Sequence, residues 1–225
     1  MKTLASLLKA LPRTKVIDST IDYSEYIPLD LSVINKELGE KKTKNASDFE
    51  VYIQNYLEKN NVKVAYGGYI ETRNMYKRSS IFKKDSQPER DIHIGLDLWI
   101  KAGTVVLAAL DGKVHSFKNN IGMGDYGPTI ILEHQIEDEI FYTLYAHLSL
   151  ESIQNLVVGT FFKKGENLAT LGNSVVNGDY PPHLHFQIIR DIDNYWGDYP
   201  GVCNINDLNF YIENCPDPNL LLKIT

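Results

Sequence analysis

From Val64 onward the chain is divided into short β-rich runs separated by Gly, Asn, Asp and Pro, and this punctuation constrains the fold more than any other feature. TVVLAAL, KVHSF, TIILEH, IFYTLYAHL, GTFFKK, NLATLG and HLHFQII are rich in β-branched and aromatic residues and are bounded by turn-forming ones. Strands of this length and spacing specify a mainly β fold, a compact antiparallel sheet or sandwich. Asp111-Gly112, between the first two runs, is a hairpin or tight-turn signal. With 225 residues, 43% of them hydrophobic, the chain can bury a sizeable core without disulfide staples.

Residues 1–63 differ in character. An amphipathic helix is expected over Ala5 to Leu11, followed by the charged cluster GEKKTKN. A second helix is expected in SDFEVYIQNYLEKNN, where Ser47 is placed to cap and Phe49, Ile53 and Leu57 recur every four residues. The chain therefore divides into an N-terminal helical segment, 1–63, packed peripherally on the core, and a β domain, 64–225. The tail after Arg190 reads as irregular structure laid over that core. Lys41 and Lys42, and Glu137 to Glu139, read as solvated faces.

Charge and composition exclude several classes. A net charge of −6 argues against binding nucleic acid or anionic lipid. There is no run of 18 apolar residues, so no membrane-spanning helix is expected. Lys9 and Pro12 interrupt the apolar start before a secretory core could form, which points to a cytoplasmic protein, with export by another route left open. Cys203 and Cys215 are too far apart for a CxxC clip and are expected to be free thiols.

The six histidines carry the chemistry. In PPHLHFQII, His183 and His185 share one face of a strand about 7 Å apart. They could face solvent, share a metal, or divide the work, one binding metal and the other acting on bound water. In HIGLD, His93 and Asp97 offer a nitrogen and an oxygen, both acceptable to zinc at about 2.0–2.2 Å. On a straight strand they would lie about 13 Å apart, but Gly95 between them could bend the chain. Three protein ligands with a fourth position open is the pattern of a catalytic zinc. His147, at the end of TLYAHLS, gains interest only from these neighbours. His115 and His134 lie near turns, lack a motif and are assigned to structure.

These residues, taken in order, resemble the lysostaphin and LytM type of zinc metallopeptidase, a family that cleaves peptide cross-bridges of bacterial cell walls. HIGLDLWIKAGTVVLAALDGKV is similar to that family's HxGxD, GTPVxA and DGxV series, with Val105 where a proline is usual. GDYGPTIILEH, FYTLYAHLS, GTFFKKGENLATLGNSV and PPHLHFQI resemble its remaining segments, covering roughly residues 90–190. YGGYIETRNMY before this core, and DYPGV and CPDPNLLL after it, look like a subgroup without signal peptides. The resemblance implies that His93, Asp97 and His185 hold one Zn2+ and that His147 and His183 are the catalytic histidines. It also implies a compact antiparallel β fold with the metal in a groove.

On this reading the chain is a zinc endopeptidase that hydrolyses peptide amide bonds. The substrate would be peptidoglycan cross-bridge or stem peptides, or their fragments. Two alternatives remain: a non-hydrolytic peptide-binding module of the same fold, and a zinc amidohydrolase acting on an intracellular substrate. A lipoyl-type carrier is disfavoured because no lysine sits in the required turn. Which histidine is base and which acid, and the oligomeric state, are not legible.

Overall fold

Strand alternation and a few long-range pairings build the scaffold. The computed structural model describes residues 3–38, 45–82 and 88–224. Its largest sheet has eight strands. From edge to edge these are β1 (Tyr26–Pro28), β2 (Val64–Gly67), β5 (Leu96–Trp99), β12 (His183–Ile189), β9 (Glu139–Ala146), β8 (Gly127–Ile136), β7 (Gly112–Asn120) and β10 (Phe161–Phe162). Only the β1–β2 edge pair is parallel; all other pairings in the sheet are antiparallel. The mainly β, antiparallel expectation is borne out.

β12 lies inside this sheet and is buried along its whole length, so both of its faces are covered. Leu184, Phe186 and Ile188 join the main core with Val64, Leu98, Ile130 and Tyr145. That core is closed by α1 (Leu4–Ala10), by the antiparallel pair β6 (Val105–Leu107) and β11 (Asn167–Thr170), and by α5 (Asn219–Leu222), through Leu4, Leu8, Val106, Leu168 and Leu221. Period-two alternation turns His183, His185 and Gln187 to the opposite face. There the sheet is covered by β3 (Glu71–Thr72), β4 (Ile92–His93) and β13 (Val202–Cys203), which form a three-stranded sheet, and by apolar clusters that include α2 (Ala46–Asn60).

Several expectations are corrected. α2 is capped by Asn45, whose side chain accepts the Asp48 N–H at 2.8 Å, while Ser47 lies within the first turn. Asn and Ser cap about equally well, so the earlier residue takes the role. Phe49 and Ile53 are buried as expected, and Leu57 packs beside them. Asp111-Gly112 makes no hairpin, because β6 and β7 belong to different sheets; the Asp111 carboxylate instead accepts Lys164 N–H at 2.7 Å.

Residues 1–63 are neither wholly helical nor peripheral. They contribute β1, and Val16, Ile17 and Ile21 enter the main core. The tail is also more than irregular cover, since it holds β13, α4 (Leu208–Asn214) and α5, and it buries Cys215, Leu221 and Leu222. These elements are too short for periodicity to reveal them. Cys203 and Cys215 are free and buried. Glu137 and Asp138 are exposed at the β8–β9 turn, whereas Lys41 and Lys42 lie outside the described residues. No described helix is long and apolar enough to cross a membrane.

Candidate metal centre

The expected bend between His93 and Asp97 is a change of sheet. His93 closes β4, and after Ile94 and Gly95 the chain enters the eight-stranded sheet as β5. Asp97 then sits directly across from His185 in the β5–β12 register, so strand pairing fixes their approach. His93 is flanked by Glu71 on β3 and Val202 on β13. Gly95 is required by a close approach: a Cβ there would lie 2.3 Å from His185 Cε1.

The outer hydrogen bonds of these residues determine what their inner atoms can do. His93 Nδ1–H donates to the Gly68 carbonyl at 2.8 Å, which leaves Nε2 as a lone pair. The Gln187 amide nitrogen donates to the Pro200 carbonyl at 3.1 Å, so its oxygen accepts from His185 Nε2–H at 3.0 Å and His185 Nδ1 is a lone pair. The two bare nitrogens face each other at 2.9 Å. Asp97 Oδ1 lies 3.3 Å from the first and 3.1 Å from the second. Three acceptors thus converge in a buried place with no proton between them, an arrangement that repels itself unless a cation is held there.

A tetrahedral ion with bonds of about 2.0–2.1 Å separates its donors by about 3.3 Å, close to the spacings here. The nitrogen-rich donor set with one carboxylate suits zinc better than calcium or magnesium.

His147 and His183 stand beside this trio. Their ring centroids are 4.2 Å apart, and His183 Nε2 is 4.0 Å from Asp97 Oδ1. His147 Nδ1–H donates to the Asn177 carbonyl at 2.8 Å and His183 Nδ1–H to the Pro181 carbonyl at 2.7 Å, so each presents Nε2 as a proton acceptor. Strict alternation beyond β9 would send His147 into the core. Its left-handed backbone, φ 63°, turns it back to the site, held by Tyr126 O and Gly172 N at 2.9 Å each. Such a conformation costs about 1–3 kcal/mol and persists only where the surroundings impose it.

Burial sets the electrostatics. It pushes the His93 imidazole down to about 4, with help from the Arg73 guanidinium. It pushes His147 well below the ordinary range, reinforced by His183 and His185, and lowers His183 as well. For Asp97, burial acts upward, but the permanently charged Arg73 guanidinium, 2.6 Å from Oδ2, holds the carboxyl well below its usual range, and His93 adds to this only when its ring is protonated. The resting site therefore carries neutral imidazoles at His93, His147 and His183 beside one carboxylate.

All five residues line a cleft of about 280 Å3 whose walls include Tyr76, Phe82, Tyr126 and Tyr180. Sequence reasoning missed two polar residues that organise it. Gln187 carried a usable signal, since it continues the alternation of His183 and His185. Arg73, 2% exposed, binds Asp97 Oδ2 at 2.6 Å and carried none beyond its place in YIETRNMY. His115 and His134 stay outside the site. His134 is buried against Thr143 Oγ1 at 2.6 Å and the Asp111 carbonyl at 2.8 Å, and half-buried His115 contacts Ser116, Tyr142 and Trp196.

Residues 91–195 match the profile of Peptidase family M23. Among solved structures, the catalytic domain of the antimicrobial peptidase lysostaphin from Staphylococcus simulans is similar at 25% identity, with a TM-score of 0.39, over 68% of this chain and 93% of that one. The longer lysostaphin structure aligns at 26% identity and a TM-score of 0.36, over 53% of this chain and 44% of that one, so the chain spans less than half of it. The catalytic domain of a prophage-encoded M23 protein, EnpA from Enterococcus faecalis, aligns at 22% identity and a TM-score of 0.37, over 55% of this chain and 89% of that one. A comparison with curated proteins finds no match.

Proposed function

We propose, from the match of residues 91–195 to Peptidase family M23, that the chain is a zinc-dependent endopeptidase acting on peptides of the bacterial cell wall or their fragments. The observation that carries this reading is the convergence of three proton-free donors, His93 Nε2, Asp97 Oδ1 and His185 Nδ1, in residues that line a cleft. Zinc bound there would acidify water and polarise the scissile carbonyl.

The chain's own residues supply the rest. His147 and His183 are neutral at pH 7 and keep a bare Nε2, so either can accept a proton from an attacking water and return one to the leaving amine. The carbonyls of Asn177 and Pro181 anchor both rings, so the proton-accepting nitrogens are oriented before substrate arrives. Tyrosines around the cleft present apolar ring faces to a peptide.

The test combines metal analysis of the purified chain with mass spectrometry of products from glycine bridges, muropeptides containing D-amino acids and ordinary peptides. One zinc per chain and cleavage of a wall-type peptide are expected. His147→Ala should keep the zinc and lose about 10²–10⁴ in rate. Undiminished cleavage by His147→Ala, or a chain that takes up no zinc, would refute the reading.

A further inference from the structure

Arg73 lies outside the residues matched by the family profile, yet it is the only described cation bonded to Asp97. Its guanidinium is buried and held from several directions. Nη1 donates to Asp97 Oδ2 at 2.6 Å and lies 3.3 Å from the Tyr76 hydroxyl. Nε donates to Glu71 Oε2 at 2.6 Å, and the other Glu71 oxygen accepts the Leu31 N–H at 3.0 Å. The guanidinium carbon lies 5.5 Å from the Trp99 ring centroid. Gly68, at φ 101°, is bare because a Cβ would fall 1.8 Å from Nη2 and 2.9 Å from His93 Nδ1.

β3 delivers this arrangement. Glu71 pairs with His93 across β3–β4, and two residues later the chain turns Arg73 towards the neighbouring ligand. The result is a buried chain of alternating charge, Glu71, Arg73, Asp97. Ordinary stability does not require it, because a buried ion pair is often no better than well-packed apolar residues.

Its effect is on Asp97. A carboxylate can bind a metal through one oxygen or two, and closing on both would occupy coordination space that water and substrate need. Here the two oxygens are already divided. Oδ1 faces His93 and His185, while Oδ2 is held by the guanidinium. We propose that Arg73 is a positioning residue that holds Asp97 to single-oxygen ligation, keeping the remaining coordination positions open; this rests on the zinc reading above. A lysine at 73 would keep a charge but could not span Glu71 and Asp97 with a planar fork.

Cobalt(II), whose visible absorption is intense at four ligands and weaker at five or six, reports the difference in the full-length chain. The wild type should show the intense band, and His93→Ala should lose it. Arg73→Met should bind one cobalt per chain with a weakened band and a kcat lower by about 10–100-fold, the usual loss when a residue orienting a ligand is removed. Arg73→Lys, which retains a buried cation if the methionine variant fails to fold, should lie between. A lysine or methionine variant with wild-type band and kcat would overturn the proposal while leaving the metal site intact. If the wild type bound no cobalt, or His93→Ala bound it equally well, the zinc reading would fail instead.

Discussion

Gly95→Ala tests whether strand packing, more than the ligands themselves, sets the metal site. The new methyl would sit 2.3 Å from His185 Cε1, 2.6 Å from Nε2 and 3.0 Å from Nδ1. Ordinary carbon contacts begin near 3.5 Å, so the ring must retreat by about 1.2 Å or the strands must part. The ring has little room to do so. On another side the Cα of Gly201 comes close enough that a Cβ there would lie 3.1 Å from the same Cε1, and Tyr126 lies with its ring centroid 5.2 Å away.

A shift of that size breaks the 3.0 Å bond to Gln187 and the 3.1 Å approach to Asp97 together. Overpacking of this kind costs about 1–3 kcal/mol of stability. Displacing a ligand should weaken zinc binding by at least the roughly 10–100-fold seen when a ligand's supporting partner is lost. The assay is a zinc titration against a chromophoric chelator, with thermal unfolding of the metal-free chain alongside. A Gly95→Ala chain that melts and binds zinc as the wild type does would show that His185 is not held as argued.

Two further outcomes follow from the hydrogen bonds and the buried histidines. Gln187→Leu removes the acceptor of His185 Nε2–H and frees the ring to take the other tautomer, so zinc affinity should fall by about 10–100-fold; an unchanged titration would mean that the amide does not set the tautomer. His134, pushed down to about 4 mainly by burial, makes stability depend on pH. The unfolded chain takes up a proton near pH 6.5 that the folded one refuses, so this contribution is complete above about 6.5 and is lost as pH falls towards 4, amounting to about 3 kcal/mol. In the metal-free protein, His134→Gln should flatten the fall in chemical-denaturation stability over that window by up to one proton's worth. An unaltered slope would refute the assignment.

The difference between what was legible in the sequence and what was not follows from the range of the interactions. His93, Asp97, His183 and His185 could be singled out because each sits in a local pattern whose strand period or glycine break has a direct geometric meaning, whereas His147 has no pattern of its own and was picked out by the family resemblance. The sheet class was legible for the same reason, since alternation and turns are local properties. Three features that pattern could not reach are long-range. The change of sheet at Gly95 is visible only once β4 and β5 are known to have different neighbours. The tail's β13 is defined by its partner β4, not by its own two residues. Arg73 is the sharpest case, because nothing in YIETRNMY separates it from the chain's other basic residues. Its identity as a buried partner of Asp97 comes from β3 lying beside β4, while Asp97 reaches the same point through β5. Candidate donors can therefore be read from spacing, whereas the groups that aim their lone pairs arrive from distant segments and depend on the finished fold.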